Sequence, residues 1–123
     1  MVIDMKIYAS AEDYLERILM LSMEKENVRA IDIAHSLNFS KPSVSVAMKK
    51  LLENGYIYME NSYIKLTDIG YELAKKVYDR HETITKALIS LGVNEKIAKE
   101  DACKIEHDLS EESFIAIKNF LNK

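Results

Sequence analysis

The sequence predicts a mainly α-helical chain with one small β-hairpin, and three observations support this. Glycine and proline are scarce, three and one in 123 residues, which leaves long stretches free to stay helical. Apolar residues recur at helical spacing from Tyr14 to the C-terminus. Two β-prone runs stand apart from that pattern, Tyr56 to Glu60 and Tyr63 to Leu66, and Asn61-Ser62 separates them.

Each element can be justified in order. Met1 to Ala9 is expected to be a short arm, with Ser10 as an N-cap and Asp13 three residues on. Tyr14, Leu15, Ile18, Leu19, Leu21 and Met23 then hold helical period to about Lys25. Arg29 to Leu37 forms a short helix, and Asn38-Phe39-Ser40 turns the chain. Ser40 caps a second helix from Lys41 to Asn54, and Pro42 is tolerated in a first turn whose N–H groups have no partner. Val44, Ala47, Met48, Leu51 and Leu52 form its buried face, which leaves Lys41, Ser43, Ser45, Val46, Lys49 and Lys50 outward. Asn54-Gly55 ends it. After the hairpin, Thr67 caps a long helix over Asp68 to Leu91 that Gly92 stops. Asn94 caps the next, Glu95 to about Asp108, and Ser110-Glu111-Glu112 opens a last helix with the stripe Phe114, Ile115, Ile117, Phe120 and Leu121.

Two short helices joined by a tight turn, the second rich in serine and lysine outside, describe a helix-turn-helix, and the hairpin that follows has the size of a wing. Helices and a hairpin also make a generic α+β core, but this order favours a winged helix. The expected organisation is a winged helix-turn-helix DNA-binding domain over residues 1–70, followed by an α-helical dimerisation and metal-binding domain over 71–123. The last helices bury little core alone, and pairing with a second copy is the simplest remedy.

Charge argues against simple nucleic-acid binding. Net charge is −3 from 17 basic and 20 acidic residues. Through Leu66 there are 8 Lys and Arg against 9 Asp and Glu, and beyond it 9 against 11, so neither half is basic. DNA binding must use a local basic face and needs bound cations to offset the carboxylates. A single cysteine excludes an internal disulfide, and no apolar run spans a bilayer, so the expected compartment is the cytoplasm.

The cations have candidate ligands. In a helical Asp101-Ala102-Cys103-Lys104-Ile105-Glu106-His107, the thiolate, carboxylate and imidazole of Cys103, Glu106 and His107 fall at i, i+3 and i+4 on one face. Asp13 with Glu16 and also His81 offer further donors from other helices. Plainer readings stand beside this one. Cys103 can be a small hydrophobe, Glu106 a solvated charge, His107 a helix-end cap, Asp13 part of a capping arrangement and Glu16 a surface ion pair.

The motifs Ala11-Glu12-Asp13-Tyr14-Leu15-Glu16, Ser40-x-Pro42-Ser43-Val44, Tyr78-Asp79-Arg80-His81-Glu82 and Glu100-Asp101-Ala102-Cys103-Lys104-Ile105-Glu106-His107 together span nearly the whole chain. In them the sequence resembles the diphtheria-toxin-repressor family of metal-dependent transcriptional repressors, most closely its manganese-transport-regulator branch. The resemblance implies a homodimer that binds palindromic double-stranded operators when loaded with Mn²⁺ or Fe²⁺ and represses metal-uptake genes. It implies metal ligation by Asp13, Glu16, His81, Cys103, Glu106 and His107, and puts Ser40 and Pro42 against thymine methyls and bases. Asp13 and Glu16 follow the manganese pattern. Cys103 stands where that branch has a bridging glutamate and iron-type members have cysteine. Lys99 and Thr85 replace ligands of the iron-type ancillary site, of which His81 remains. The sequence ends where iron-type members continue into an SH3-like domain, so a two-domain chain is expected.

Carboxylate and imidazole suit Mn²⁺ and Fe²⁺, while a thiolate extends the range to Zn²⁺ and Co²⁺ in vitro. With ligands on the first helix and the distal helices, metal is expected to act as a clamp between the two lobes. Lys41, Lys49, Lys50 and Lys65 are the phosphate candidates. Val46 replaces the polar or basic residue common in the family, which shifts direct readout toward apolar contact and DNA shape. Among other classes, a metal hydrolase lacks a general-base constellation here and has no need of a recognition helix. A winged-helix regulator that answers to a small organic ligand, or to redox at Cys103, is the alternative. An interaction-only dimer module would shift no DNA.

Overall fold

In the computed structural model the backbone is described from Val2 to Lys123 and side chains from Ala11 onward. The element order is α1 (Val2–Glu24), α2 (Ala30–Leu37), α3 (Lys41–Glu53), β1 (Ile57–Glu60), β2 (Tyr63–Leu66), α4 (Asp68–Ser90), α5 (Glu95–Ile105) and α6 (Glu111–Leu121). The chain divides into two units, Met1–Lys75 and Lys76–Lys123, with the division inside α4.

In the first unit, α1 contributes Tyr14, Leu15, Ile18 and Leu19 to the buried set, spaced so that all four share one face. The stripe stops there, since Met23 is 59% exposed. The arm expected before Ser10 is instead part of α1, which starts at Val2. No glycine or proline interrupts residues 2–10, and an interior serine costs a helix only tenths of a kcal/mol, about 0.5.

α2 ends in a Schellman turn. Asn38 adopts the left-handed conformation at φ 58°, and Phe39 N–H donates to the Ala34 carbonyl at 3.0 Å. Ser40 then caps α3, its Oγ accepting from Ser43 N–H at 3.3 Å. Val44, Met48 and Leu51 are the buried residues of α3. The strands pair antiparallel from Ile57 opposite Leu66 to Glu60 opposite Tyr63. Asn61 and Ser62, at φ 53° and 69°, make the two-residue loop whose twist suits a hairpin.

The hairpin is tied to the segment between α1 and α2. Val28 forms a bridge with Ile64, and Lys65 Nζ donates to the Glu26 carbonyl at 3.2 Å. Arg29 donates to Tyr63 Oη at 3.2 Å and lies 5.0 Å over that ring. Its backbone N–H donates to Asp32 Oδ2 at 2.9 Å, which caps α2 and is the main reason Asp32 titrates below its ordinary value.

Thr67 holds the start of α4. Its Oγ1 donates to the Gly55 carbonyl at 2.7 Å and accepts from Gly70 N–H at 3.1 Å. Gly70 is buried, and a Cβ there would collide with the Tyr56 carbonyl oxygen.

In the second unit, the C-terminal half of α4 packs with α5 and α6. Gly92, at φ 102°, closes α4 with a second Schellman turn. Asn94 and Ser110 cap α5 and α6 with their side-chain oxygens. Val77, Ile84, Ala98, Ala102 and Phe114 are buried, and so are His81, Thr85 and Glu106. Along α6 only Phe114 of the expected stripe is buried, whereas Ile115 and Phe120 are 46% and 68% exposed. α5 ends at Ile105, a turn earlier than its spacing suggests.

Candidate metal centre and nucleic-acid interface

Four of the six expected metal ligands lie in the second unit, each within 3.6 Å of another of the four. α4 carries His81, 7% exposed, and α5 carries Cys103 near its end. Glu106 is the C-cap of α5 and keeps right-handed helical angles, φ −56° and ψ −29°, so the i, i+3 relation to Cys103 survives the helix end. His107 follows in the turn. Cys103 Sγ lies 3.6 Å from His81 Nδ1. The Glu106 carboxylate, 1% exposed, puts Oε2 at 3.3 Å from His81 Nδ1 and Oε1 at 3.5 Å from His107 Nε2.

Neither Glu106 oxygen has a hydrogen bond, although both are buried and both lie within ion-pair range of an imidazole. A buried carboxylate without hydrogen bonds is costly, on the order of several kcal/mol. Donor atoms around one divalent ion, with bonds of roughly 2.0 to 2.3 Å, stand about 3.0 to 3.5 Å apart. The Glu106 carboxylate stands at such distances from His81 and from His107, as one ligand of a cation stands from another, whereas Cys103 Sγ is within hydrogen-bonding distance of His81 Nδ1 and is in no group of donors, among the described residues, close enough together to hold one ion.

Arg80, next to His81 on α4, sets the shape of this turn. Its Nη1 donates to the Glu106 carbonyl at 2.9 Å and its Nη2 to the Leu109 carbonyl at 2.7 Å. The guanidinium sits 5.1 Å over the Phe114 ring and 3.9 Å from Glu111 Oε2. Sequence reasoning gave Arg80 no role. The available signal was the need of the carbonyls after α5 for donors, with an arginine beside the candidate ligand on a neighbouring helix.

Asp13 and Glu16 belong to the first unit, three residues apart on α1, with Glu16 5% exposed and Asp13 half-buried. Of the two residues expected to replace ancillary ligands, Lys99 pairs with Glu95 at 3.2 Å. Thr85 is buried, and its Oγ1 makes no hydrogen bond.

The first unit carries the expected DNA-facing residues. Ser40, Lys41, Pro42, Ser43, Ser45, Val46, Lys49 and Lys50 are all exposed on α3 or at its cap. Lys41, Lys49 and Lys50 are exposed along α3, which has no acidic residue before Glu53, on a chain of net charge −3. Lys65 differs, being half-buried with its ammonium bonded to Glu26 and also 3.4 Å from Asn27 Oδ1. A phosphate contact there has to compete with those bonds.

Residues 6–63 match the family model of the iron dependent repressor N-terminal DNA binding domain. Residues 67–123 match that of the iron dependent repressor metal binding and dimerisation domain. An HTH-type transcriptional regulator of Methanocaldococcus jannaschii is 42% identical over 117 residues, 93% of this chain and 94% of its own length. The HTH-type transcriptional regulator MntR of Bacillus subtilis is 38% identical over 102 residues, 82% of this chain and 72% of its own. Among solved structures, the manganese regulator SloR superposes with a TM-score of 0.81 at 32% identity, over 91% of this chain and 53% of that one. IdeR of T. acidophilum does so with a TM-score of 0.81 at 28% identity, over 91% and 54%. The chain thus spans about half the length of these solved chains. With both parts matched in order along the chain, the protein belongs to the iron dependent repressor family, whose members are metal-dependent DNA-binding transcriptional repressors and not enzymes.

Proposed function

We propose that this protein is a homodimeric repressor that senses Mn²⁺ or Fe²⁺ in the cytoplasm, binds a double-stranded operator when loaded and controls metal-uptake genes. Residues 1–70 serve DNA binding in this reading, and residues 71–123 serve dimerisation and metal binding. The observation that carries it is the buried Glu106 carboxylate, without hydrogen bonds between the imidazoles of His81 and His107, with the Cys103 thiol beside His81. Asp13 and Glu16 are the further ligands proposed. Exposed Ile115 and Phe120 on α6 support self-association. No described helix is long and apolar enough to cross a membrane.

His81, Glu106 and His107 act as ligands only when Glu106 is ionised and the imidazoles are neutral at the ligating nitrogens. Arg80 holds the turn that carries Glu106 and His107, so the donors are gathered before an ion arrives. Bound there, a divalent cation supplies positive charge that offsets the carboxylates' repulsion of phosphate. Lys41, Lys49 and Lys50 meet the backbone, and the outward face of α3 meets the bases. Metal and operator binding are coupled, so each tightens the other equally.

The test is anaerobic operator binding across Mn²⁺, Fe²⁺, Co²⁺ and Zn²⁺ with chelator reversal, paired with calorimetric metal titration. Metal affinity that is the same with and without operator refutes the coupling. A second reading rests on the exposed Cys103 thiol, 3.6 Å from His81. It makes the protein a redox-responsive regulator, and operator binding reversed by oxidant and thiol in metal-free buffer would select it.

A further inference from the structure

Around α3, at about 100° per residue, the buried Val44, Met48 and Leu51 define one side, and Pro42, Val46 and Lys49 fall on the opposite side. Val46 is 56% exposed, and Pro42, also exposed, sits one turn before it. The outermost part of the helix over its first two turns is therefore an apolar pair at i, i+4. Those turns are the part of a recognition helix that reaches base edges.

The rest of this face is poorly equipped to recognise bases by hydrogen bonding. From Ser40 to Glu53 there is no arginine, asparagine or glutamine, the side chains that grip guanine or adenine with two bonds in a fixed plane. The Ser40 hydroxyl donates to Ser43 Oγ at 2.9 Å while accepting from Ser43 N–H, so the Ser40 proton is already engaged within the cap. The lysines are flexible point charges suited to phosphate. Glu53 lies on the same side as Val46 but at the C-terminal end of α3, away from the turns that enter the groove.

In the major groove of DNA, the apolar group available to such a surface is the 5-methyl of thymine. We infer that Val46 is the specificity-determining residue of this repressor and that it selects operators by contact of its methyl groups with a thymine 5-methyl in each half-site. This deepens the proposed function and rests on it. It also explains how a face without a bidentate reader discriminates between sequences.

The test uses the 123-residue protein loaded in turn with each metal of the series above. Duplexes are enriched from a random library, and the selected duplex is resynthesised with dU in place of dT at one position per half-site at a time. Deoxyuridine pairs like thymidine and lacks only the methyl. At one thymine, or at two adjacent ones, loss of the methyl is expected to weaken binding about threefold to tenfold. In Val46→Ala, whose folding is checked by thermal unfolding, the dT to dU ratio at that position falls to about one, whereas in Lys49→Ala, which weakens binding to all sequences alike, it persists. Enrichment with no position sensitive to dU, or a ratio undiminished in Val46→Ala, overturns the inference and leaves the repressor reading standing. Failure of every metal in the series to support enrichment overturns both.

Discussion

Within the proposed metal site, Glu106 is the residue whose change should cost most. Glu106→Gln keeps the volume, removes the charge and places an amide between two imidazoles, so the Mn²⁺ needed for half-maximal operator binding should rise on the order of 100-fold or more. Metal-dependent anisotropy on operator DNA reads this directly. Arg80 acts through the turn it holds. Arg80→Met releases the Glu106 and Leu109 carbonyls and should weaken metal binding about 10- to 100-fold while the free thiol count stays at one, measurable by calorimetry and thiol titration. The grouping of Cys103, Glu106 and His107 was suggested by three donor types at helical spacing, a pattern visible in sequence, but Cys103 is in no donor group, among the described residues, compact enough for one ion. Arg80 was not legible, because an arginine that serves backbone carbonyls leaves no such pattern. The helix end at Ile105 was hidden for a related reason: Glu106 keeps helical angles after the hydrogen-bonded helix has stopped.

At the scale of elements, α3 and the hairpin make separable contributions. Lys49→Ala should weaken binding to all sequences similarly and lower the slope of log K against log salt by about 0.9, whereas Lys65→Ala should change the slope less, because its ammonium is held by Glu26 and Asn27. Binding isotherms over a salt series separate the two. The Asp32 cap of α2 gives a pH dependence of known sign. Its carboxyl titrates below the ordinary 3.8, chiefly through the Arg29 N–H bond, so its contribution to stability is present above that value and is lost as pH falls through the lower folded value. Comparison of thermal unfolding for wild type and Asp32→Asn should show a gap that narrows below about pH 3.8. Most of this architecture was readable from Ser40, Pro42, Asn54 and Gly55, whose caps and turns are local chemistry. The start of α1 was misread at Ser10, because a serine that could cap a helix is tolerated nearly as well inside one.

At the scale of the whole molecule, the exposed apolar residues of α6 tie stability to concentration. If two copies associate through Ile115 and Phe120, the midpoint of thermal unfolding must rise with protein concentration, and Phe120→Lys should abolish that rise and shift sedimentation toward the monomer. A midpoint that is independent of concentration would argue against dimerisation through this face. The negative net charge was readable from composition. Which side chains of α6 turn outward was not, because an apolar stripe has the same spacing whether it faces its own core or another molecule.

The hairpin loop offers one more use. Asn61 and Ser62 both hold left-handed angles, a geometry that nature fills most readily with Asn-Gly, so the loop stands one substitution from its preferred chemistry. Ser62→Gly should relieve steric strain in the loop and raise the unfolding free energy by about 0.5 kcal/mol. Such a variant would give crystallographers and engineers a sturdier scaffold without altering any residue assigned to ion or operator.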